Sequence, residues 1–221
     1  ALAWRQSRPL GFSLKDKVIE DWGAGPMTAL LALWVSGALE AGSVTYRAID
    51  KSPEMLEWGM QIAKRLGLHR LCTIATSAHT LEFEDEGEGD AGVDLLVVVE
   101  AFNEWLPQRG RDTRGIDRFA RTACRVIKPD GELFVLEPAS RVVSWGVKQL
   151  RESLLRMGTQ VLAPCTHARP CPLLDPRLKA WCHFRHPVSL HPAHASLARL
   201  SDGERTSLSY SYIHARMVQH A

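Results

Sequence analysis

The chain has 221 residues, of which 45% are hydrophobic and 24% are charged, and its formal net charge is +2. These values are typical of a globular protein with a sizeable core, and they exclude a disordered, collagen-like or disulfide-scaffold chain. No apolar run reaches about 18 residues, which excludes a membrane-spanning helix. The basic residues are 20 Arg and only 7 Lys, an excess that fits either an RNA partner or a compositional bias.

Short apolar runs alternate with helical patterns over residues 17–157. The run from Val93 to Val99 is almost continuously apolar, as expected for a central strand covered on both faces. This alternation predicts an α/β fold with a doubly wound, mostly parallel, Rossmann-like sheet. Strands are predicted at 17–21, 44–49, 71–75, 93–99 and 132–136, and helices at 26–39, 52–66, 114–127 and 140–157.

The pattern changes in the last third of the chain. Residues 1–158 are predicted to form the α/β domain, with an acidic, solvated loop at 82–90. Residues 159–200 are rich in proline and cysteine and lack a clear periodicity. A segment with so little apolar content is expected to be ordered by a metal. Residues 201–221 are predicted to return to the sheet through a strand at 207–217.

A glycine-rich turn follows the first predicted strand. Asp21 ends that strand, and Gly23 and Gly25 lie between it and the next helix. Glycines at this place allow a tight turn and close approach of the backbone to a ligand. Asp50 ends the second strand, where an acidic residue can accept hydrogen bonds from both hydroxyls of a ribose. A dinucleotide needs a third glycine where Thr28 stands, so that ligand class is disfavoured.

The sequence from Asp21 to Gly25 instead resembles the first motif of class I methyltransferases. That resemblance implies S-adenosylmethionine as the cofactor, with Asp21 holding the methionine amino group directly or through water. The family usually has a glycine where Met27 stands, so this side chain is expected to crowd the methionine end of the pocket. Glu100, after the fourth strand, is a further candidate for the pocket. The predicted cofactor site therefore comprises Asp21, Gly23, Gly25, Asp50 and Glu100, with no catalytic residue assigned.

Three cysteines lie close together near the C-terminus. Cys165, Cys171 and Cys182 are separated by five and ten residues, with His167 among them. Thiolates in a proline-rich coil favour a tetrahedral metal or an iron–sulfur cluster. The paired spacing of a zinc ribbon is absent. His167 or a residue beyond Ala221 is expected to supply the fourth ligand.

Taken in order, several motifs resemble the methyltransferase-like assembly factors of the mitochondrial small ribosomal subunit and their bacterial relatives. The resemblance covers nearly the whole chain, and its most specific part is the cysteine-rich block. It is carried by Asp21–Pro26, by Leu136–Pro138, by the block from Ala163 to Phe184 and by Ser209–Tyr212.

The resemblance implies a class I methyltransferase fold and a 4Fe–4S cluster, to which Cys165, Cys171 and Cys182 match; zinc is the alternative metal. It also implies binding to small-subunit rRNA, together with ribosomal proteins and other assembly factors, in the mitochondrial matrix or, for a relative, the bacterial cytoplasm. Met27 favours an RNA-binding platform with weak or lost activity. The alternatives are an active S-adenosylmethionine-dependent rRNA methyltransferase and a small-molecule methyltransferase.

Overall fold

The computed structural model describes residues 3–4, 13–39, 44–79, 92–107, 111–165, 167–188 and 207–218. The helices are α1 (Thr28–Val35), α2 (Pro53–Arg65), α3 (Arg114–Val126) and α4 (Arg141–Arg156). The strands are β1 (Val18–Trp22), β2 (Val44–Asp50), β3 (Cys72–Ala78), β4 (Val93–Val99), β5 (Ile127–Pro138), β6 (Gln160–Ala163), β7 (Phe184–Pro187) and β8 (Ser207–Arg216).

One eight-stranded sheet contains all of these strands, in the order β3-β2-β1-β4-β5-β8-β6, with β7 also paired to β8. Strands β1 to β5 are parallel, and β8 runs antiparallel to β5, β6 and β7. The strand order changes direction between β1 and β4, which is where ligands bind in open α/β sheets. The predicted doubly wound, mostly parallel sheet is confirmed.

The core has two layers, one on each face of the sheet. Leu95 and Val97 of β4 join the layer beneath α1 and α2. Leu96 and Val98 of the same strand join the layer beneath α3 and α4. Because both faces of β4 are covered, neither set of side chains has to be polar, and this explains the nearly continuous apolar run.

Two local predictions differ from the structure. α1 begins two residues later than predicted because Met27 is left-handed, with φ of 61°, and forms a turn in which its amide donates to the Ala24 carbonyl. Residues 129–131, which separate the predicted helix at 114–127 from the predicted strand at 132–136, lie inside β5, where the register with β4 shifts and Asp130 has φ of 61°.

The cysteine-rich segment is ordered in part by the sheet itself. β6 and β7 flank β8 on its outer edge, so residues on both sides of the cysteines pair with β8. Sequence reasoning gave neither strand, because both are only four residues long. The acidic loop at 82–90 and residues 189–206 lie outside the described residues.

None of the helices in the described ranges is long and apolar enough to cross a membrane.

A buried charged cluster joins β5 to β8. Glu132 is fully buried and accepts hydrogen bonds from His214 Nε2 at 2.8 Å and from Arg216 Nη2 at 2.7 Å. Burial by itself raises the pKa of Glu132, but the interactions with His214 and Arg216 outweigh it and hold the pKa below its usual value. The antiparallel strand is therefore fixed by a paired charge in the interior.

We expect Glu132→Gln to lower the free energy of unfolding by about 3 kcal/mol, because it leaves the Arg216 charge without its buried counterion. Urea denaturation measures the change. Asp175→Asn, which breaks the solvent-exposed pair with Arg177, is the control and should change the free energy by less than about 1 kcal/mol. An effect of Glu132→Gln no larger than that of the control would show that the buried cluster does not stabilise the sheet.

Candidate functional site at the carboxyl edge of the sheet

A cavity of about 230 Å³ lies where β1, β2 and β4 end. This is the edge of the sheet at which the strand order changes direction, so the topology and the cavity indicate the same site. Its walls come from the loops that follow the three strands and from the end of β3. The lining residues are Gly23, Asp50, Lys51, His79, Ala101, Glu104 and Trp105.

Asp50 links the second strand to the glycine turn. Its Oδ2 accepts from the Gly25 amide at 2.8 Å, and its Oδ1 accepts from the Ser52 amide at 2.8 Å. Ser52 in turn caps α2 by accepting from the Met55 amide. A carboxylate has about four acceptor positions, so Asp50 keeps acceptor capacity at the cavity for the hydroxyls of a ribose.

Gly23 marks the closest approach between the glycine turn and the loop after β4. It has φ of 69°, and a Cβ placed on it would lie 2.4 Å from Ala101 Cβ. No side chain fits there without moving the β4 loop. The turn therefore presents bare backbone to the cavity, as a closely bound ligand requires.

Asp21 lies directly beneath the turn and is buried. Its Oδ2 accepts a short hydrogen bond from the Tyr46 hydroxyl, while its Oδ1 has no hydrogen-bond partner among the described residues. Burial raises the pKa of Asp21 to about 7; the bond from Tyr46 opposes this rise and the Asp50 charge adds to it. A buried carboxylate oxygen without a partner suits a bound cation such as an ammonium group.

Met27 does not line this cavity. Its side chain is buried, and its Cγ would lie 2.7 Å from a Cβ placed on Gly59 of α2. The absence of a side chain at Gly59 makes room for Met27 between α1 and α2. The Met27 side chain therefore does not narrow the cavity at the carboxyl edge, and the reason lies in a residue 32 positions away.

Glu100 and two unpredicted residues complete the edge. Glu100 is exposed, has φ of 58° and donates its amide to the Leu136 carbonyl, but it does not line the cavity. Lys51 and Glu104 do line it, and they form an ion pair of 3.0 Å across the loops after β2 and β4. The one indication of this ion pair in the sequence is that Lys51 directly follows Asp50 at the end of β2.

The thiol cavity

The three C-terminal cysteines line one small cavity between α4 and β8, here called the thiol cavity. Its volume is about 20 Å³, enough for a single water molecule or ion of similar size. Cys165, Cys171 and Cys182 share its walls with Lys148 and Arg151 of α4. The structure thus brings together the three thiols that sequence reasoning singled out, although no group of three potential ligands in the described ranges is already at metal-binding spacing.

Polar contacts hold the cysteine backbone in place. Glu152 of α4 accepts from the Cys171 amide at 3.2 Å. Ser211 of β8 donates to the Cys182 carbonyl at 2.7 Å, and the Ser211 hydroxyl also lies 2.6 Å from that of Ser144. The positions of Cys171 and Cys182 are therefore set by α4 and β8.

Two buried cations face the thiols. Lys148 and Arg151 are 7% and 4% exposed. Arg151 pairs with Glu152, whereas the charged groups that act on the pKa of Lys148 are Cys171, Cys182 and Arg111. Burial lowers the pKa of Lys148, and the two cysteines oppose this. The Lys148 ammonium also donates to the Leu173 carbonyl at 2.7 Å, so a backbone oxygen partly satisfies this buried cation.

Burial raises the pKa of the Cys182 thiol, and Cys165 and Cys171 raise it further, against the opposing effect of Lys148. Three thiols at one place do not ionise together easily unless a cation binds them. Thiols are the donor type that a thiophilic metal takes, but the three described here do not stand at metal-binding spacing. His167 does not line the thiol cavity; it is exposed, and its carbonyl accepts from Arg151.

Comparison with known proteins

The sheet order, the glycine turn and the acidic residue after β2 define a class I methyltransferase-like protein. A family model described as "Mitochondrial small ribosomal subunit Rsm22" matches residues 15–221. The chain belongs to the Rsm22 family. No curated protein matches the chain significantly.

Solved structures with the same fold come from varied proteins. A candidate methyltransferase from Thermoplasma acidophilum is 10% identical, with a TM-score of 0.54 over 99% of this chain and 75% of that one. A candidate sarcosine dimethylglycine methyltransferase from Galdieria sulphuraria is 13% identical, with a TM-score of 0.51 over 92% and 79%. The [4+2]-cyclase SpnF is 18% identical, with a TM-score of 0.50 over 92% and 75%. At these identities the likeness establishes the fold alone.

Asp21 should make the stability of the protein pH-dependent. Its folded-state pKa is raised from 3.8 to about 7, so the folded state holds a proton that the unfolded state releases. Stability is therefore full below about pH 4 and falls as the pH rises to about 7, by a total of the order of 4 kcal/mol.

Asp21→Asn removes this titration. We expect the difference in unfolding free energy between variant and wild type to change with pH in that window and to be constant above about pH 8. Urea denaturation from pH 4 to 9 measures it, with Asp175→Asn as the exposed control. Parallel wild-type and variant curves would mean that Asp21 is ionised normally.

Proposed function

We propose that this protein is an assembly factor of the mitochondrial small ribosomal subunit that binds rRNA through its methyltransferase-like fold, with weak or lost methyl-transfer activity. The family match over residues 15–221 carries this proposal. The site of action is then the mitochondrial matrix, or the bacterial cytoplasm for a relative, and the partners are small-subunit rRNA, ribosomal proteins and other assembly factors.

The arginines of α3 support RNA binding. Arg114, Arg118 and Arg121 are exposed at positions i, i+4 and i+7, so they project from one side of the helix. The helix buries its other side through Ile116 and Phe119. An exposed arginine face of this kind suits the phosphates of RNA.

Three other arginines are placed differently. Arg151 is buried against the cysteine-rich segment, so it stabilises that segment and is inaccessible to RNA. Arg156 pairs with Asp117. Arg109 lies outside the described residues.

The cavity at the carboxyl edge supports S-adenosylmethionine as the cofactor. Asp50 would accept from the ribose hydroxyls, the backbone at Gly23 and Gly25 would line the cofactor, and Asp21 Oδ1 would receive the ammonium group directly or through water. Glu100 remains a candidate for the rim of the pocket. When bound, the cofactor supplies an electrophilic methyl group.

The thiol cavity supports a metal held by Cys165, Cys171 and Cys182. A 4Fe–4S cluster is the proposed group, and zinc is the alternative. The volume of about 20 Å³ suits a single ion, so a four-iron cluster requires the sulfurs to separate. His167 is a weaker candidate for the fourth ligand because it lies outside the cavity.

An active rRNA methyltransferase is the second candidate. Burial of Met27 between the helices leaves the cavity clear, and the unpartnered Asp21 Oδ1 is suited to the methionine ammonium. A small-molecule methyltransferase is the third candidate, and it predicts no salt-dependent affinity for RNA.

Calorimetric titration with S-adenosylmethionine, alongside rRNA-binding measurements, separates these candidates. We expect rRNA binding that weakens steeply with salt, because phosphate contacts release counterions, and weak or absent cofactor binding. Tight cofactor binding that is lost in Asp50→Asn, together with methyl incorporation into rRNA, would favour the active enzyme. Absence of salt-dependent rRNA binding would contradict the proposal.

Replacing one cysteine should release the metal. We expect Cys171→Ser to lose bound metal and to make residues 160–188 sensitive to protease, because the thiolates help to order this segment. Iron, zinc and sulfide analysis of anaerobically purified protein and limited proteolysis measure the two effects. Cys124→Ser is the control, since Cys124 lies against Met157, away from the thiol cavity. Equal metal content in the two variants would contradict the assignment.

A further inference from the structure

A second, larger cavity lies between the start of α4 and residues 173–181. Its volume is about 250 Å³, near the lower end of small-molecule pockets at about 300 Å³. It is separate from the cavity at the carboxyl edge, and we call it the indole groove. Its walls include four cations and two indoles, namely Arg111, Arg141, Lys148, Lys179, Trp145 and Trp181.

The indole groove has an excess of positive charge. Of the described residues that line it, Asp175 is the one acidic residue, and it already pairs with Arg177 at 2.6 Å. Among the residues that the structure describes, no carboxylate pairs with Arg111, Arg141 or Lys179. A concave surface with this charge favours an anionic ligand.

The aromatic residues give the groove flat surfaces for stacking. The Arg141 guanidinium carbon lies 4.6 Å from the centre of the Trp181 ring. Two contacts hold the Trp181 side chain in place. Its Nε1 donates to the Ala139 carbonyl at 2.9 Å, and its ring stacks on His183 with 5.0 Å between the ring centres. Indole rings and guanidinium planes are the surfaces on which unpaired RNA bases stack.

The location of Arg141 is not explained by helix stability. It occupies the first position of α4, where a positive charge opposes the helix dipole, and the first turn has no acidic residue. An anion bound beside Arg141 would compensate for the unfavourable interaction between its positive charge and the helix dipole. An acidic peptide would use the cations of the groove but not its indoles, whereas a nucleotide uses both.

We propose that the indole groove binds one unpaired nucleotide of RNA, with its base stacked on Arg141 and Trp145 and its phosphates held by Arg111 and Lys179. The inference rests on the rRNA binding proposed above and specifies the form of RNA that is recognised. A duplex cannot enter a cavity of this volume, so the groove selects a looped-out or single-stranded base. Arg111 lies three residues before α3, so the exposed arginines of that helix continue the path of the phosphates.

The phosphate contacts are tested by fluorescence anisotropy with a labelled 12-nucleotide single-stranded RNA at several salt concentrations, using anaerobically purified protein. We expect Arg111→Gln/Lys179→Gln to bind about tenfold more weakly and to lower the salt slope by about 1.4, since each single-strand phosphate contact contributes about 0.7. Lys64→Gln/Arg70→Gln carries the same charge change on and beside α2, away from the groove, and should keep both values.

Trp145→Leu tests stacking while preserving apolar packing. We expect it to weaken single-strand binding about tenfold with the salt slope unchanged, and Trp145→Phe to restore most of the affinity. A 12-base-pair RNA duplex serves as the comparison ligand, and its affinity should be the same for wild type and Trp145→Leu.

Two outcomes would overturn the inference while leaving the proposed function standing. One is wild-type binding that the groove variants and the control variant reduce equally. The other is competition by a poly-glutamate peptide as effective as competition by the RNA, which would identify an acidic protein segment as the occupant. Absence of salt-dependent RNA binding by the wild-type protein would overturn both the inference and the proposed function.

Discussion

The placement of two buried cations beside three cysteines is the constraint on which the C-terminal part of the structure depends. Arg151 has Glu152 as its counterion, whereas the Lys148 ammonium donates to the Leu173 carbonyl at 2.7 Å and has Cys171, Cys182 and Arg111 as its charged neighbours. Leaving a charge uncompensated in the interior costs several kcal/mol. Thiolates gathered by a metal would supply the missing negative charge, and they would do so where α4, β8 and the cysteine-rich segment meet.

This arrangement divides the molecule into regions with different tasks. The carboxyl edge of β1, β2 and β4 presents Gly23 of the backbone turn and Asp50 to a cavity of about 230 Å³, while Asp21 lies buried at the end of β1. The thiol cavity lies behind α4, and Lys148 lines both it and the indole groove. Residues 173–181 of the groove wall lie between Cys171 and Cys182, so the positions of these two cysteines and the shape of the groove depend on each other.

Much of the sheet was predictable from the sequence because hydrophobic periodicity is a local signal. Strand β4, helix α2 and the positions of Asp21, Gly23 and Asp50 near the ends of the chain's first two strands all followed from short patterns. What sequence reasoning missed depends on distant partners. Met27 was expected to crowd the methionine end of the pocket, and only the space left by Gly59 reveals where its side chain packs. Strands β6 and β7 exist because β8 pairs with them, and the indole groove joins residues 111, 141 and 181.

X-ray absorption at the iron and zinc edges of anaerobically purified protein counts the atoms bound to the metal. We expect a metal with at least three sulfur ligands, at about 2.3 Å for zinc, accompanied by an iron–iron distance if a cluster is present. A metal surrounded only by nitrogen and oxygen, or a metal-free protein in which Cys165, Cys171 and Cys182 all react as free thiols, would contradict this expectation.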